Sequence, residues 1–481
     1  VPPRLRLLAV AAAILAASLG SAIALAHERG GRASSAGLLD WPEFGLNPQR
    51  SGASDASTGI DAANVRRLKL RTVALPAVAD NSAIYLHEVA VEGGRHDVAI
   101  VTTDYGTTLA IDAGNGAVLW RFIPPGIASW QGSAQITTAS PLASGAFVYA
   151  TSPNGLVHKL SLADGREQSG WPVRITPAPH TEKLTASLNI ADGDLLASTG
   201  GYIGDAPPYV GHLVAISLRN GHIDAVFNTL CANRTTIIEP ASCSASDSAV
   251  LSRSGPVVEP GGARVLIATG NAPYNASTDF GDSLIELALP GLRRRQVYTP
   301  VDQAMLNTGD LDLGSGSPAL LPDGLAWIAG KDGIQRVLDL GALDGHAPPT
   351  TPRTGGERQT LPTPGGQQVF TAPAVWHDLV FVADGGGTAA YRVSGGRLRA
   401  VWQNSTAGSS PVVAGGLLYV YNPNAGGIAV YSPSSGHLIT TLATASGHWN
   451  SPIVADGHVI VPTGNDNDHA LSGSLAIYST P

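Results

Sequence analysis

Apolar positions in this chain alternate in short runs and do not recur at helical spacing. Between residues 104 and 121, DYGTTLAIDAGNGAVLWR, the stretch from Thr108 to Ile111 alternates toward a buried face. Asp112 to Gly116 supply turn residues, and Ala117 to Trp120 resume an extended apolar run. The pattern predicts strand, turn, strand. Related copies follow: Leu160, Asp164, Gly165 and Trp171; Ile216, Asn220, Gly221 and Phe227; Val393, Gly396 and Trp402; Val430, Gly436 and Leu442. A second signature precedes them, Ser-Pro followed by an apolar strand, a glycine turn and another apolar strand. It starts at Ser140, Ser317, Ser410 and Ser451, with looser versions at Glu88, Ser187, Gly255 and Ala372. Repeats of this size are the mark of propellers and solenoids. With four short strands per unit (A to D), the fold predicted is all-β, an eight-bladed β-propeller of four-stranded antiparallel blades.

The eighth unit supplies strands A, B and C and then reaches Pro481 without a D strand. An open sheet edge is a liability. The extended segment from Leu68 to Val73 resembles the D strands, so it is expected to complete the last blade and close the ring. The propeller then occupies 65–481. Residues 27–64, rich in Gly, Ser and Ala, read as a linker with one ordered patch at Trp41-Pro42-Glu43-Phe44-Gly45, whose aromatics are expected to pack on the ring. Residues 1–26 carry Arg4 and Arg6, an uncharged apolar run and a small-x-small site at Ala24-Leu25-Ala26. They read as a signal peptide, with a retained N-terminal anchor as the alternative. Either way the expected location is extracytoplasmic, periplasmic or secreted.

Composition narrows the function classes. A net charge of −8 without a basic run argues against nucleic acid as a partner. The only cysteines, Cys231 and Cys243, are expected to form a disulfide in an exported chain. No C-x-x-C-H motif occurs, so covalent haem c is excluded.

In such a ring the loops leaving strands B and D emerge on one face. The longest polar connections fall there, which makes it the face to search for a site. Asn271, in Thr269-Gly270-Asn271, offers a carboxamide oxygen suited to a hard cation. Asp310 and Asp312 approach blade 5 on what reads as an extended segment, and Lys331 leaves strand B of the same blade. The loop at residues 464–469 has oxygen ligands at alternate positions but lacks the Gly and terminal Glu of a full calcium loop, so it reads as a polar turn, with a metal site as the alternative. Trp449, in His448-Trp449-Asn450, is read either as docking between blades or as a stacking residue at the channel mouth.

At these residues the chain resembles a known family. LAIDAGNGAVLW is similar to the pyrroloquinoline quinone (PQQ) propeller repeat of quinoprotein alcohol dehydrogenases and their non-enzymatic relatives. IATGNAPYNASTDFGDSLIELAL resembles the segment whose Asn binds calcium, DLDLGSGSPALL the segment whose first Asp is the base, and GKDGIQRVLDL the segment whose Lys approaches the quinone. Gly309 stands where the family has Trp, and only Asp205 is available to replace a calcium-binding Glu. The resemblance implies a PQQ- and calcium-dependent dehydrogenase acting on an alcohol or sugar, with electrons leaving to a separate acceptor. Asp310 would be the catalytic base, Asn271, Asp310 and Asp205 would hold the metal, and Lys331 and Asp312 would meet the cofactor. The other reading is a non-catalytic envelope propeller, a scaffold or ligand-binding protein.

Overall fold

A computed structural model describes residues 37–204, 206–347 and 351–481. Eight four-stranded antiparallel sheets follow one another. Blade 1 is built from Ile84–Val91, Gly94–Thr102, Thr108–Asp112 and Val118–Phe122. Blades 2 to 7 repeat this meander, with A strands at Leu142–Ser144, Asn189–Ala191, Val257–Val258, Ala319–Leu321, Ala374–Trp376 and Val412–Ala414. Blade 8 has Ile453–Ala455, His458–Thr463 and Gly473–Ser479, and its fourth strand is Lys69–Leu75. The pairing runs antiparallel from Lys69 opposite Ser479 to Leu75 opposite Gly473, so the first strand of the ring completes the last blade. Neighbouring A strands touch one another, which sets them around the axis.

The repeat motif has a packing reason. Trp120 of blade 1 donates its indole N–H to the Leu162 carbonyl of blade 2. Gly165, at φ +69°, lies so close that a Cβ there would meet the Trp120 ring at 2.6 Å. Gly436 of blade 7 stands in the same relation to Trp402 of blade 6. The turn glycine and the aromatic are thus two halves of one blade-to-blade contact, with φ > 0 and close approach both excluding a side chain.

Residues 37–64 sit across the A strands. Trp41 exchanges backbone hydrogen bonds with Tyr85, and the carbonyls of Pro42, Pro48, Ser51 and Gly52 accept from Ala143, Val258, Val375 and Val413. Pro48 also accepts from the Asn189 amide, and Thr58 from Gly457. Seven of the eight blades are therefore bonded to this one stretch. Trp41 and Phe44 are buried. Buried Arg50 holds the turn together, donating to Glu43 Oε2 at 2.7 Å, to the Phe44 carbonyl at 2.6 Å and to the Leu188 carbonyl of blade 3. A strands run away from the face where D–A loops emerge, so this stretch closes the axial channel below that face and leaves a blind pocket above it.

Candidate functional site

The pocket is a cavity of about 220 Å³ lined by residues from blades that are far apart in sequence. Lys183 and Thr185 enter ahead of blade 3, Leu251 and Arg253 ahead of blade 4, Asp310, Asp312 and Ser315 ahead of blade 5, and Lys331 leaves strand B of blade 5. Phe370 enters ahead of blade 6, and His448, Trp449 and Asp466 come from blade 8. Trp449 stacks on Phe370 at 4.2 Å and 11°, and the Arg253 guanidinium lies 5.1 Å from the Trp449 ring.

On one side, Lys331 is clamped between two carboxylates. Its Nζ lies 2.7 Å from Asp310 Oδ1 and 2.6 Å from Asp312 Oδ2. Asp312 is buried, and its Oδ1 accepts from the Asn271 backbone N–H at 2.6 Å. One carboxylate thus ties the Thr-Gly-Asn turn of blade 4 to the lysine of blade 5. Burial works to lower the Lys331 pKa, but Asp312 and Asp310 outweigh it and raise it, so the ammonium stays charged. Asp310 is reached through the short helix Gln303–Thr308 and sits at φ 51°, not on the extended segment its sequence suggests. Its side chain is 60% exposed, against 18% for Lys331 and 6% for Asp312. A hydroxyl-bearing ligand in the mouth would meet Asp310 first.

On the other side, His448 Nδ1 lies 2.6 Å from Asp80 Oδ2 and 3.0 Å from Asp466 Oδ1. Lys183 reaches Asp466 Oδ2 at 3.1 Å, and Arg253 reaches Asp80 Oδ2 at 3.3 Å. Burial opposes charge on His448, yet its close contacts with the Asp466 and Asp80 carboxylates outweigh it and hold the imidazole at a pKa of about 9. Asp104, fully enclosed beside Asp80, is pushed well above the ordinary carboxylate range by burial and then by the charges of Asp466 and Asp80. Burial also works to raise Asp466. Lys183, His448 and Arg253 override it and hold that carboxyl well below its usual range.

Of the residues expected at the site, the structure brings Asp310, Asp312 and Lys331 into direct contact. Asn271 joins through its backbone, and Asp205 lies outside the described residues. Trp449, read as an inter-blade wedge or a mouth residue, lines the mouth. Asp466 belongs to the turn Asp466–Asp468, and its acid is buried in the ion network. Sequence reasoning missed Lys183, Arg253, Phe370 and Asp80. A positional rule would have found three of them: Asp80, Arg253, Phe370 and Trp449 are each the fourth residue ahead of an A strand, beginning at Ile84, Val257, Ala374 and Ile453. Thr185 and Ser315 hold the same position in blades 3 and 5. This is where each D–A loop turns down into the channel.

A closed ring of eight such blades carrying a charged axial mouth is an eight-bladed β-propeller, with a fold similar to that of quinoprotein dehydrogenases. Residues 62–279 match the family model described as outer membrane protein assembly factor BamB. Among solved structures, quinohemoprotein alcohol dehydrogenase from Comamonas testosteroni is 14% identical, with a TM-score of 0.66 over 93% of this chain and 81% of that one. A europium-containing methanol dehydrogenase is 13% identical, with a TM-score of 0.67 over 92% of this chain and 98% of that one. BamB from Moraxella catarrhalis is 11% identical, with a TM-score of 0.53 over 85% and 98%. At these identities the likeness is one of fold. No curated protein sequence matches significantly.

The donor set can be tested against the groups the resemblance implies. PQQ is a flat tricarboxylate, and the mouth gathers three basic side chains, Lys183, Arg253 and Lys331, around an aromatic stack, so its chemistry suits the quinone. Calcium on Asn271 and Asp310 is a poorer match. The Lys331 ammonium already occupies the position between Asp310 and Asp312 where a cation would sit, and Asn271 does not line the cavity.

Proposed function

We propose that this protein is an extracytoplasmic propeller that binds a small, flat polyanion in its axial mouth, with PQQ as the first candidate and oxidation of an alcohol or sugar as the associated chemistry. The observation that carries the reading is the convergence of Lys183, Arg253 and Lys331 on one blind pocket beside the Trp449–Phe370 stack. Arg and Lys so placed bind carboxylates by charge-assisted hydrogen bonds, and a low-dielectric floor strengthens each contact. Bound PQQ supplies a two-electron acceptor, and a separate protein or dye would then take the electrons. Lys331 would hold an oxyanion at its ammonium. Asp310, exposed and hydrogen-bonded to that lysine, is the group placed to accept a hydroxyl proton from a substrate entering the mouth. No step is assigned to calcium. The Cys231–Cys243 disulfide supports an oxidising compartment. Among the described residues, no helix is long and apolar enough to cross a membrane.

Calorimetric titration with PQQ, with and without calcium, tests the reading, followed by dye reduction with a panel of alcohols and aldoses. Micromolar binding that does not require calcium is expected, and absence of binding in both conditions would overturn it. A second reading, a scaffold for an envelope protein, is favoured by Ile123, Ile203, Val301, Met305 and Leu471, exposed apolar side chains that all lie on B–C or D–A loops of the mouth face.

A further inference from the structure

We propose that Asp80, His448 and Asp466, with Asp104 beside them, form a binding site for a first-row divalent cation at the floor of the mouth. One ligand atom from each of Asp80, His448 and Asp466 lies within 4.8 Å of the other two, close enough for a single ion to bridge all three. The cluster is distinct from Asn271, Asp310 and Asp312, and it comes from blades 1 and 8 instead of blades 4 and 5.

Two buried carboxylate oxygens there make no hydrogen bond. Asp466 Oδ1 is 3.0 Å from His448 Nδ1, but that single ring N–H is spent on Asp80 Oδ2, and Asp466 Oδ1 has no hydrogen-bond partner. Asp104 is 1% exposed. Its Oδ1 accepts from the Asp80 backbone N–H at 3.1 Å, while its Oδ2 is buried without a partner. Buried carboxylate oxygens in native proteins are almost always paired. Two orphans in one cluster mark a place where a cation is missing from the set of partners.

Pairing and access agree. Lys183 pairs with Asp466 and Arg253 with Asp80, and an ion bound by the group would take the place of the imidazole proton that now lies between Asp80 and Asp466. The remaining carboxylate oxygens are held as a ligating shell requires: Asp466 Oδ2 by Lys183 and Asp80 Oδ1 by the Trp449 N–H at 3.1 Å. His448 and Asp466 line the cavity, which gives an ion its way in. One imidazole with two or three carboxylates suits zinc or manganese better than calcium.

The test uses the full chain stripped with EDTA, loaded with zinc and passed over a desalting column, with bound metal measured by mass spectrometry. About one equivalent retained is expected, and His448→Asn and Asp466→Asn should each weaken binding by about 10-fold or more. Cobalt(II) gives a second readout, since its visible bands in wild type should differ from those in His448→Asn. His87→Asn is the control, because His87, Asp97 and Asp456 form another three-ligand group on the surface. Retention near zero in wild type would overturn the proposal, as would retention lost in His87→Asn but kept in a folded His448→Asn.

Discussion

Arg50→Met tests whether residues 37–64 are a structural part of the ring. Arg50 is 2% exposed and makes three bonds, to Glu43, to the Phe44 carbonyl and, across to blade 3, to the Leu188 carbonyl. Methionine fills much of the volume but removes every donor. Glu43 would be left with its carboxylate buried and unpaired, and two carbonyls would lose their partners. Removing one member of a buried ion pair costs about 3–5 kcal/mol. That is a large share of the roughly 5–15 kcal/mol that holds a typical domain folded. Burial already raises the Glu43 pKa, with Arg50 pulling it back. Without Arg50 it rises further, so the folded variant holds a proton that the unfolded chain releases. The variant's deficit should therefore grow as pH rises above the usual carboxylate range and shrink toward pH 4. Urea unfolding at pH 5 and pH 8 measures this, and limited proteolysis reports whether the segment lifts off the A strands. The double variant Glu43→Met/Arg50→Met should recover most of the loss, since apolar replacement of a whole buried pair is often neutral. A single variant within about 1 kcal/mol of wild type at both pH values would refute the reasoning.

Val73→Asp places a charge in the buried face of the closing strand and should destabilise by about 3 kcal/mol or more, read by denaturant unfolding. Asp282 is buried, and its carboxyl is pushed up to about 8, chiefly by burial. Its protonated form contributes stability that is complete below pH ~4 and is lost as pH rises to about 8, up to about 5 kcal/mol. Asp282→Asn should flatten that part of the pH–stability curve. Lys331→Met should weaken PQQ binding by about 10-fold and, by freeing Asp310 and Asp312, raise calcium affinity above that of wild type, both read by calorimetry. Replacing Cys231 and Cys243 with Ser should cost about 3 kcal/mol in thermal unfolding, because the unfolded chain is then freed from the loop the bridge closes.

The fold was legible because its signals are local. The Asp-Gly turn and the following aromatic recur as one contact, as Gly165 on Trp120 and Gly436 on Trp402 make plain. Closure by the first strand followed from a count of strands in the last blade. Asp310, Asp312 and Lys331 were legible because they lie within about twenty residues of one another and match a known segment. The rest of the mouth was not, apart from His448-Trp449, because Asp80, Lys183, Arg253 and Phe370 meet only through closure of the ring. Nothing in their immediate neighbours sets them apart except their place ahead of an A strand. The short helix Gln303–Thr308 was hidden for a similar reason: at six residues it has no periodicity to read and is held by tertiary contacts, such as Gln303 donating to the Ala272 carbonyl at 2.7 Å. Residues 37–64 look like a linker by composition because most of their bonds are made by backbone atoms, which any sequence supplies.

Crystals of the full chain grown with PQQ provide the most direct measurement. If the blind mouth is the binding site, difference density will show one molecule above the buried floor, with carboxylates on Lys331 and Arg253 and its ring plane along the Trp449–Phe370 stack. Density for the ligand elsewhere on the surface, with the mouth filled only by solvent at saturating concentration, would contradict the account.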